Sequence, residues 1–564
     1  MADTPEQATA PTRRRTGRHR GEGQWAKGHF TPLNANEQTK KDDDGLNVRT
    51  RIETIYAHRG FASIDGADLR GRMRWWGLYT QRRPGIDGGK TAVLEPEELD
   101  DEYFMLRVRV DGGRLTTEQL RVIGEISQEF ARGTADITDR QNIQYHWIRI
   151  EDMPEIWRRL EGVGLSTTEA CGDTPRVILG SPVAGIAADE IIDGTPAVDE
   201  VHRRVVGNPA YSNLPRKFKS AISGSPVLDV AHEINDIAFV GVHHPELGPG
   251  FDVWVGGGLS TNPKIGVRLG AWTPLEEVAD VFEGVVSIFR DYGYRRLRNR
   301  ARIKFLVADW GPEKFRRVLE DEYLGRKLAD GPAPDAPVER WRDHVGVHRQ
   351  KDGRFYVGFA PRVGRVDGAT LTKIADLAEA HGSARVRTTV EQKMIILDVP
   401  EEQVRALTDE LAALDLTTRP SSFRRGTMAC TGIEFCKLAI VETKGRGQSL
   451  IEEMERRLPG FAEPITININ GCPNSCARIQ VADIGLKGQL VLDDEGNQVE
   501  GYQVHLGGSL GLDPGFGRKV RGLKVTADGL ADYVERVLRA FEEQRTEGER
   551  FSQWVTRADE GSLK

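Results

Sequence analysis

Residues 103–110 read Y-F-M-L-R-V-R-V, and their reading decides the fold. Apolar and polar residues alternate there as on a half-buried strand, and D-G-G follows as a turn. Residues 115–131, L-T-T-E-Q-L-R-V-I-G-E-I-S-Q-E-F-A, carry a helical period, and D-I-T-D-R-Q-N-I-Q-Y-H-W-I-R-I at 136–150 returns to strand character. The order recurs from 355: F-Y-V-G-F-A-P-R-V-G-R-V, a helix through 371–382, then A-R-V-R-T-T-V-E-Q-K-M-I-I-L-D-V to 399. With Phe104 set opposite Phe355, Gln141 falls opposite Gln392, so about 45 residues repeat at an offset of about 250. The repeat predicts a duplicated two-domain half, its two strand–helix–strand units sharing one layer or domain.

Each unit runs into a break in pattern, T-T-E-A-C-G-D-T-P-R-V-I-L-G-S-P after the first and R-R-G-T-M-A-C-T-G-I-E-F-C after the second. V-W-V-G-G-G-L-S at 253–260 and V-H-L-G-G-S-L-G at 504–511 form another duplicated pair, a short strand entering a glycine turn. Such turns can cradle anions. Neither has the G-x-G-x-x-G spacing of a dinucleotide site, and no flavin signal is present, so redox chemistry here needs an outside electron source.

At 564 residues the chain is long enough for two to four domains. A net charge of -7 gives no support to nucleic-acid binding, although one cleft can still be basic. The Arg cluster at 13–18 reads as a solvated tail, and residues 1–45 as an extended arm. No run of about 18 apolar residues exists and the first residues lack a secretory core, so the expected location is cytoplasmic, without a membrane span.

Four of the five cysteines, Cys430, Cys436, Cys472 and Cys476, lie within 47 residues, with gaps of five, 35 and three; Cys171 stands apart. Four thiolates suit an iron–sulfur cluster, and the short loops can each present two sulfurs. A structural zinc site, usually built on tighter pairs, and four unconnected thiols are the alternatives.

C-T-G-I-E-F-C at 430–436 and N-G-C-P-N-S-C-A at 470–477 resemble the paired signatures of the sirohaem sulfite and nitrite reductases. The resemblance covers about residues 45–555. It implies an α+β, internally duplicated multidomain fold with two ferredoxin-like half-repeats and two α/β cofactor-binding domains. The implied boundaries are 46–160 and 341–415 for the half-repeats, and 161–340 and 416–564 for the α/β domains. By the same resemblance the four clustered cysteines bind one [4Fe–4S] cluster, and Cys476 also bridges to sirohaem iron.

Reducing an oxyanion requires fixed positive charge to hold it and groups to supply protons. Arg107 and Arg109 alternate on one strand and are expected to share a face; Lys217 and Lys219 do the same if L-P-R-K-F-K is extended. Taken singly, each is more often a solvated charge or a salt-bridge partner. The resemblance matches Arg107, Arg176, Lys217 and Lys219 to the residues around the substrate anion. It matches Arg140, with Arg109 and His146, to the sirohaem surroundings; His146 reads equally as a packed histidine near a strand end.

The resemblance further implies reduced ferredoxin as donor, sulfite as substrate in sulfur assimilation, and a monomer. Nitrite reduction is the alternative, and a non-catalytic electron-transfer protein a third reading, against which the convergent basic residues argue. In some members a cysteine placed like Cys171 is joined by a thioether to a tyrosine, here Tyr79 of R-W-W-G-L-Y-T-Q-R; an ordinary buried thiol is the other reading. Thr174 stands where similar chains often carry Cys or Asn, beside the expected anion pocket.

Overall fold

The computed structural model describes residues 33–337, 341–511 and 513–564; the arginines at 13–18 lie outside them. Strands β1 (Leu78–Arg82), β2 (Asp100–Val108), β4 (Asp136–Ile137) and β5 (Ile143–Ile148) form a sheet in the order β1-β2-β5-β4. Alternation along β2 turns Phe104, Leu106 and Val108 wholly inward, which is why this segment holds its register. The missing strand, β3 (Arg114–Thr116), leaves its own unit and joins β12 (Gly346–Arg349), β13 (Phe355–Phe359), β14 (Arg385–Thr388) and β15 (Met394–Val399). It pairs antiparallel with β14. Reciprocally, Asp136 of β4 bridges to Arg365 of the second unit.

The helices of the two units, Thr117–Phe130 and Gly368–Ala380, cross where Gly124 meets Gly368. A Cβ on Gly124 would lie 2.6 Å from the Gly368 carbonyl oxygen, so only glycine permits this approach. One apolar core runs through both, from Ile52 and Leu106 to Ile374 and Leu411. The two strand–helix–strand units share one core, as the repeat led one to expect, and β3 crosses from one to the other. Within the expected extended arm, residues 35–42 are not extended. Its described end is a helix, α1 (Ala35–Asp42), whose cap Asn34 accepts from the Glu37 amide and donates to the Arg295 and Arg296 carbonyls.

Each half then supplies a second sheet of matching topology. β6 (Pro175–Gly180), β7 (Phe218–Ser223) and β8 (Ile237–His244) run parallel, followed by antiparallel β9 (Gly248–Val255), β10 (Val267–Thr273) and β11 (Ala329–Asp330). β16 (Thr427–Ala429), β17 (Ile467–Asn470) and β18 (Ile484–Leu492) repeat the parallel run, with β19 (Gln498–Leu506) and β20 (Arg518–Thr526) antiparallel.

The glycine turns after β9 and β19 have a different use from the anion cradle expected of them. A Cβ on Gly257 would fall 2.4 Å from the Glu233 carbonyl oxygen, and one on Gly508 2.6 Å from that of Gln480. The amides of Gly256 and Gly508 donate to the Asp236 and Ala482 carbonyls, so these turns are used on the protein's own backbone. Among the described residues no helix is long and apolar enough to cross a membrane.

Candidate functional site

Cys430 follows β16 and Cys472 follows β17, two parallel neighbours in register at Ala429 and Ile469. Both short cysteine loops therefore start at the carboxyl ends of adjacent parallel strands, where α/β sheets present ligands. The Cys430 amide donates to the Ile469 carbonyl, the Gly471 amide donates to Cys430 Sγ at 3.2 Å, and Ile440 N–H donates to the Gly471 carbonyl. The loops are thus laced together before any ligand is added.

The four sulfurs act on one another. Burial and the neighbouring Cys476 and Cys436 push the Cys430 thiol up to about 12. Burial, then Cys476, Cys436 and Cys430, raise Cys472; burial and Cys476 raise Cys436. Three thiols that resist ionisation because they are buried beside one another and beside Cys476 form, with Cys476, a donor set suited to a multiply charged metal centre, whose charge reverses that penalty. Among the described residues no three His, Cys, Asp or Glu side chains group tightly enough to hold a single metal ion.

Cys476 is the exposed member of the four. It faces the basic residues. Arg107, Lys217 and Lys219 each lie within electrostatic reach of its sulfur. Lys217 is driven well below the ordinary lysine range by burial and by Lys219, Arg216 and Arg302. Lys219 is pushed down to about 7 by burial and Arg140, against the pull of Asp139. The two lysines share a side, as expected of an extended segment. Neither ammonium has a hydrogen-bond or ion-pair partner among the described residues, and the Nε atoms of Arg107 and Arg140 are buried without one. Unmatched buried cations are costly, and an anionic ligand removes that cost.

The remaining expected residues separate by what they touch. Arg107 donates to Cys171 Sγ at 3.0 Å and to Gln144 Oε1 at 2.8 Å. Arg176 donates twice to the Gly172 carbonyl. Arg140 donates to Asn235 Oδ1 and the Val177 carbonyl; burial, with repulsion from Arg176 and Arg478, takes it down to about 9 against the attraction of Asp139. Arg109 is spent elsewhere: it pairs with Asp111 at 2.7 Å and donates to the carbonyls of Glu169, Pro175 and Arg176. It braces the segment that carries Arg176. His146 fits its packed reading, fully buried and stacked on Phe435 at 3.7 Å, its Nε2 3.3 Å from Asp136. Tyr79 and Cys171 both lie within electrostatic reach of Arg107, and the Thr174 hydroxyl donates to the Cys171 carbonyl.

Three contributors escaped the sequence reading. Gln144 links Arg107 to Thr431 beside Cys430, donating to its hydroxyl at 3.0 Å. Arg82, buried, donates from its backbone amide to the Phe435 carbonyl and from its guanidinium to the carbonyls of Lys437 and Ala439. Arg478, at φ 57°, ties the second cysteine loop to the carbonyls of Asp139 and Val390. Arg82 ends the quoted R-W-W-G-L-Y-T-Q-R and Arg478 directly follows N-G-C-P-N-S-C-A, but a charge in or beside a motif does not announce its partner.

Two family models match. One, described as nitrite and sulphite reductase 4Fe-4S domain, matches residues 171–328 and 421–564; the other, nitrite/sulfite reductase ferredoxin-like half domain, matches 97–163 and 348–414. A sulfite reductase [ferredoxin] of Mycobacterium tuberculosis is 60% identical over 98% of this chain and 100% of its own length. An assimilatory ferredoxin-dependent nitrite reductase of Haloferax mediterranei is 37% identical over 92% of this chain and 91% of its own. The solved structure of the Mycobacterium tuberculosis NirA protein superposes with a TM-score of 0.94 at 60% identity, covering 97% of this chain and all of that one. With both domain types matched in both halves, the chain belongs to the nitrite and sulphite reductase family.

Proposed function

We propose that this chain is an assimilatory ferredoxin-dependent sulfite reductase of the cytoplasm, reducing sulfite to sulfide with six electrons. The observation that carries the reading is a set of three cations, Arg107, Lys217 and Lys219, that have no carboxylate ion-pair partner among the described residues and lie within electrostatic reach of the exposed sulfur of Cys476. Electron storage alone has no use for such convergence. The 60% identity to a sulfite reductase over the whole chain supports sulfite above nitrite.

Cys430, Cys436, Cys472 and Cys476 would hold a [4Fe–4S] cluster, Cys476 shared with sirohaem iron, and Arg140 would face sirohaem carboxylates. When bound, these groups supply the low-potential electrons, delivered from reduced ferredoxin, and the iron that receives the substrate. The protein's part is electrostatic. Arg107 and Arg176 orient the oxyanion, with guanidinium planes suited to paired oxygen contacts. Lys217 and Lys219 neutralise its charge, and Lys219, able to lose a proton near neutrality, serves as proton donor.

Purified holoenzyme should show both tetrapyrrole and iron–sulfur absorption and, with one ferredoxin donor, turn over sulfite with a higher kcat/KM than nitrite. A chain without tetrapyrrole after cofactor-replete expression sinks the reading; a reversed preference assigns it to nitrite. The Tyr79–Cys171 thioether belongs to the same proposal: intact mass of the denatured, cofactor-free chain is expected to be short by two hydrogens, and an unshifted mass excludes the bond.

A further inference from the structure

A cavity of about 240 Å³ opens outward from the expected substrate side. Buried Arg176 and half-buried Tyr79 line it together with α1 and the segment from Gly66 to Trp75, of which Ala35, Asn36 and Gly66 are exposed. Seven lysine and arginine side chains and two aspartates line it, a local excess of positive charge on a chain whose net charge is -7. Some of these cations are matched: Arg72 pairs with Asp68, Arg70 with Glu97 and Lys40 with Glu37. Others are not. Asp173, 3% exposed at its side chain, is shared by Arg298 at 2.5 Å, Arg216 at 3.3 Å and Lys40 at 3.5 Å. With Lys40 already held by Glu37, this one carboxylate is left to two arginines. Burial, with Arg298 and Arg176 repelling it against the attraction of Asp173, takes Arg216 down to about 10. Arg74 lies with its guanidinium 5.5 Å over the Tyr79 ring and has no hydrogen-bond or ion-pair partner among the described residues.

We propose that this cavity is an outer subsite for a small inorganic oxyanion, in which Arg74 and Arg216 capture the dianionic substrate and pass it inward to Arg176. The inference rests on the sulfite-reductase reading and adds an anteroom to it. Low-dielectric walls with excess positive charge concentrate anions and raise their rate of capture. Asp173 is then a positioning residue, keeping Arg216 and Arg298 at the wall instead of letting them swing into solvent. Helix α1 closes the far side, which gives the described end of the arm a use: it makes a concave site out of what is otherwise an open face.

The test compares wild-type holoenzyme with Arg74→Met, which breaks no hydrogen bond seen here, and with Arg216→Gln, all reduced by methyl viologen so that ferredoxin docking plays no part. Each variant should keep its sirohaem content and its kcat at saturating sulfite, while kcat/KM for sulfite falls about tenfold. The loss should scale with substrate charge, so that the factor for dianionic sulfite is about the square of that for monoanionic nitrite. The fall of kcat/KM with rising ionic strength should also become shallower in the variants. Unchanged kcat/KM in Arg74→Met, or equal losses for the two anions, overturns the subsite. Loss of sirohaem overturns it as well and reassigns these arginines to the cofactor's carboxylates. A wild-type enzyme that cannot reduce sulfite defeats the underlying reading instead.

Discussion

In the proposed mechanism Cys476 and Lys219 are the residues on which the chemistry turns. Cys476→Ser is expected to abolish sulfite reduction and to break the coupling between haem and cluster, seen as a changed tetrapyrrole spectrum; full turnover in the variant would refute the bridging role. Lys219 is cationic below about pH 7 and neutral above it, because burial and Arg140 both oppose its charge. Its contribution to anion capture is therefore present at lower pH and fades as pH rises through that value, later once sirohaem's carboxylates are beside it. Replacing it by arginine, which stays charged, should remove the alkaline fall of kcat/KM while raising or lowering its plateau; an unmoved alkaline limb assigns that limb to another group. At this scale the cysteines were legible because their spacing is chemistry in itself. Arg109 was not, since alternation places it beside Arg107 but cannot show Asp111 waiting at 2.7 Å.

Among the elements, the crossing of helices Thr117–Phe130 and Gly368–Ala380 is the tightest joint between the halves. A valine at Gly124 would drive its Cβ to 2.5 Å from Thr372 Oγ1 as well as into the Gly368 carbonyl. Gly124→Val is expected to lower stability by about 1–3 kcal/mol through overpacking, read as a lower denaturant midpoint. A midpoint equal to wild type would show that the helices can part without cost. The periodicities that predicted these helices and the flanking strands are local, so they survive in sequence. The exchange of β3 into the other unit's sheet is a long-range pairing, and three residues, R-L-T, carry no pattern that names a partner. The extended reading failed at residues 35–42 for a related reason. A-N-E-Q-T-K-K-D has no apolar face; its helix depends on the Asn34 cap and on contacts to Arg295 and Arg296, far along the chain.

At the scale of the whole molecule, Asp136 pins the halves together. Its carboxylate, 4% exposed, meets Arg365 at 3.1 Å, Lys444 at 3.4 Å and His146 at 3.3 Å. Burial alone would raise it, but Lys444, His146 and Arg365 hold it far below its ordinary value of 3.8. A depressed carboxylate stabilises the fold above its unfolded-state pKa and loses that contribution as pH falls. Asp136→Asn is expected to cost about 3–5 kcal/mol at neutral pH, by denaturant titration, with the gap to wild type narrowing in acid. A gap independent of pH would show that charge is not what Asp136 supplies. Duplication itself was written in the chain, as were the cysteine quartet and the family they indicate. The resemblance put the expected basic residues in the first half, and the structure gives their counterparts in the second. Matching Ile237 paired with Val255 to Ile484 paired with Leu506 sets Lys219 against Thr466 and Arg176 against Arg425, and the internal repeat sets Arg140 against Glu391. Arg425 is clamped by Asp343 at 2.7 Å, whereas the Arg176 guanidinium, among the described residues, donates only to a backbone carbonyl. The sequence by itself determined the repeated elements and singled out the cysteine quartet, because periodicity and thiol spacing act over a few residues. Only the tertiary structure decided which charges are free, because a charge is neutralised by whatever the fold brings within a few ångströms, from any distance along the chain.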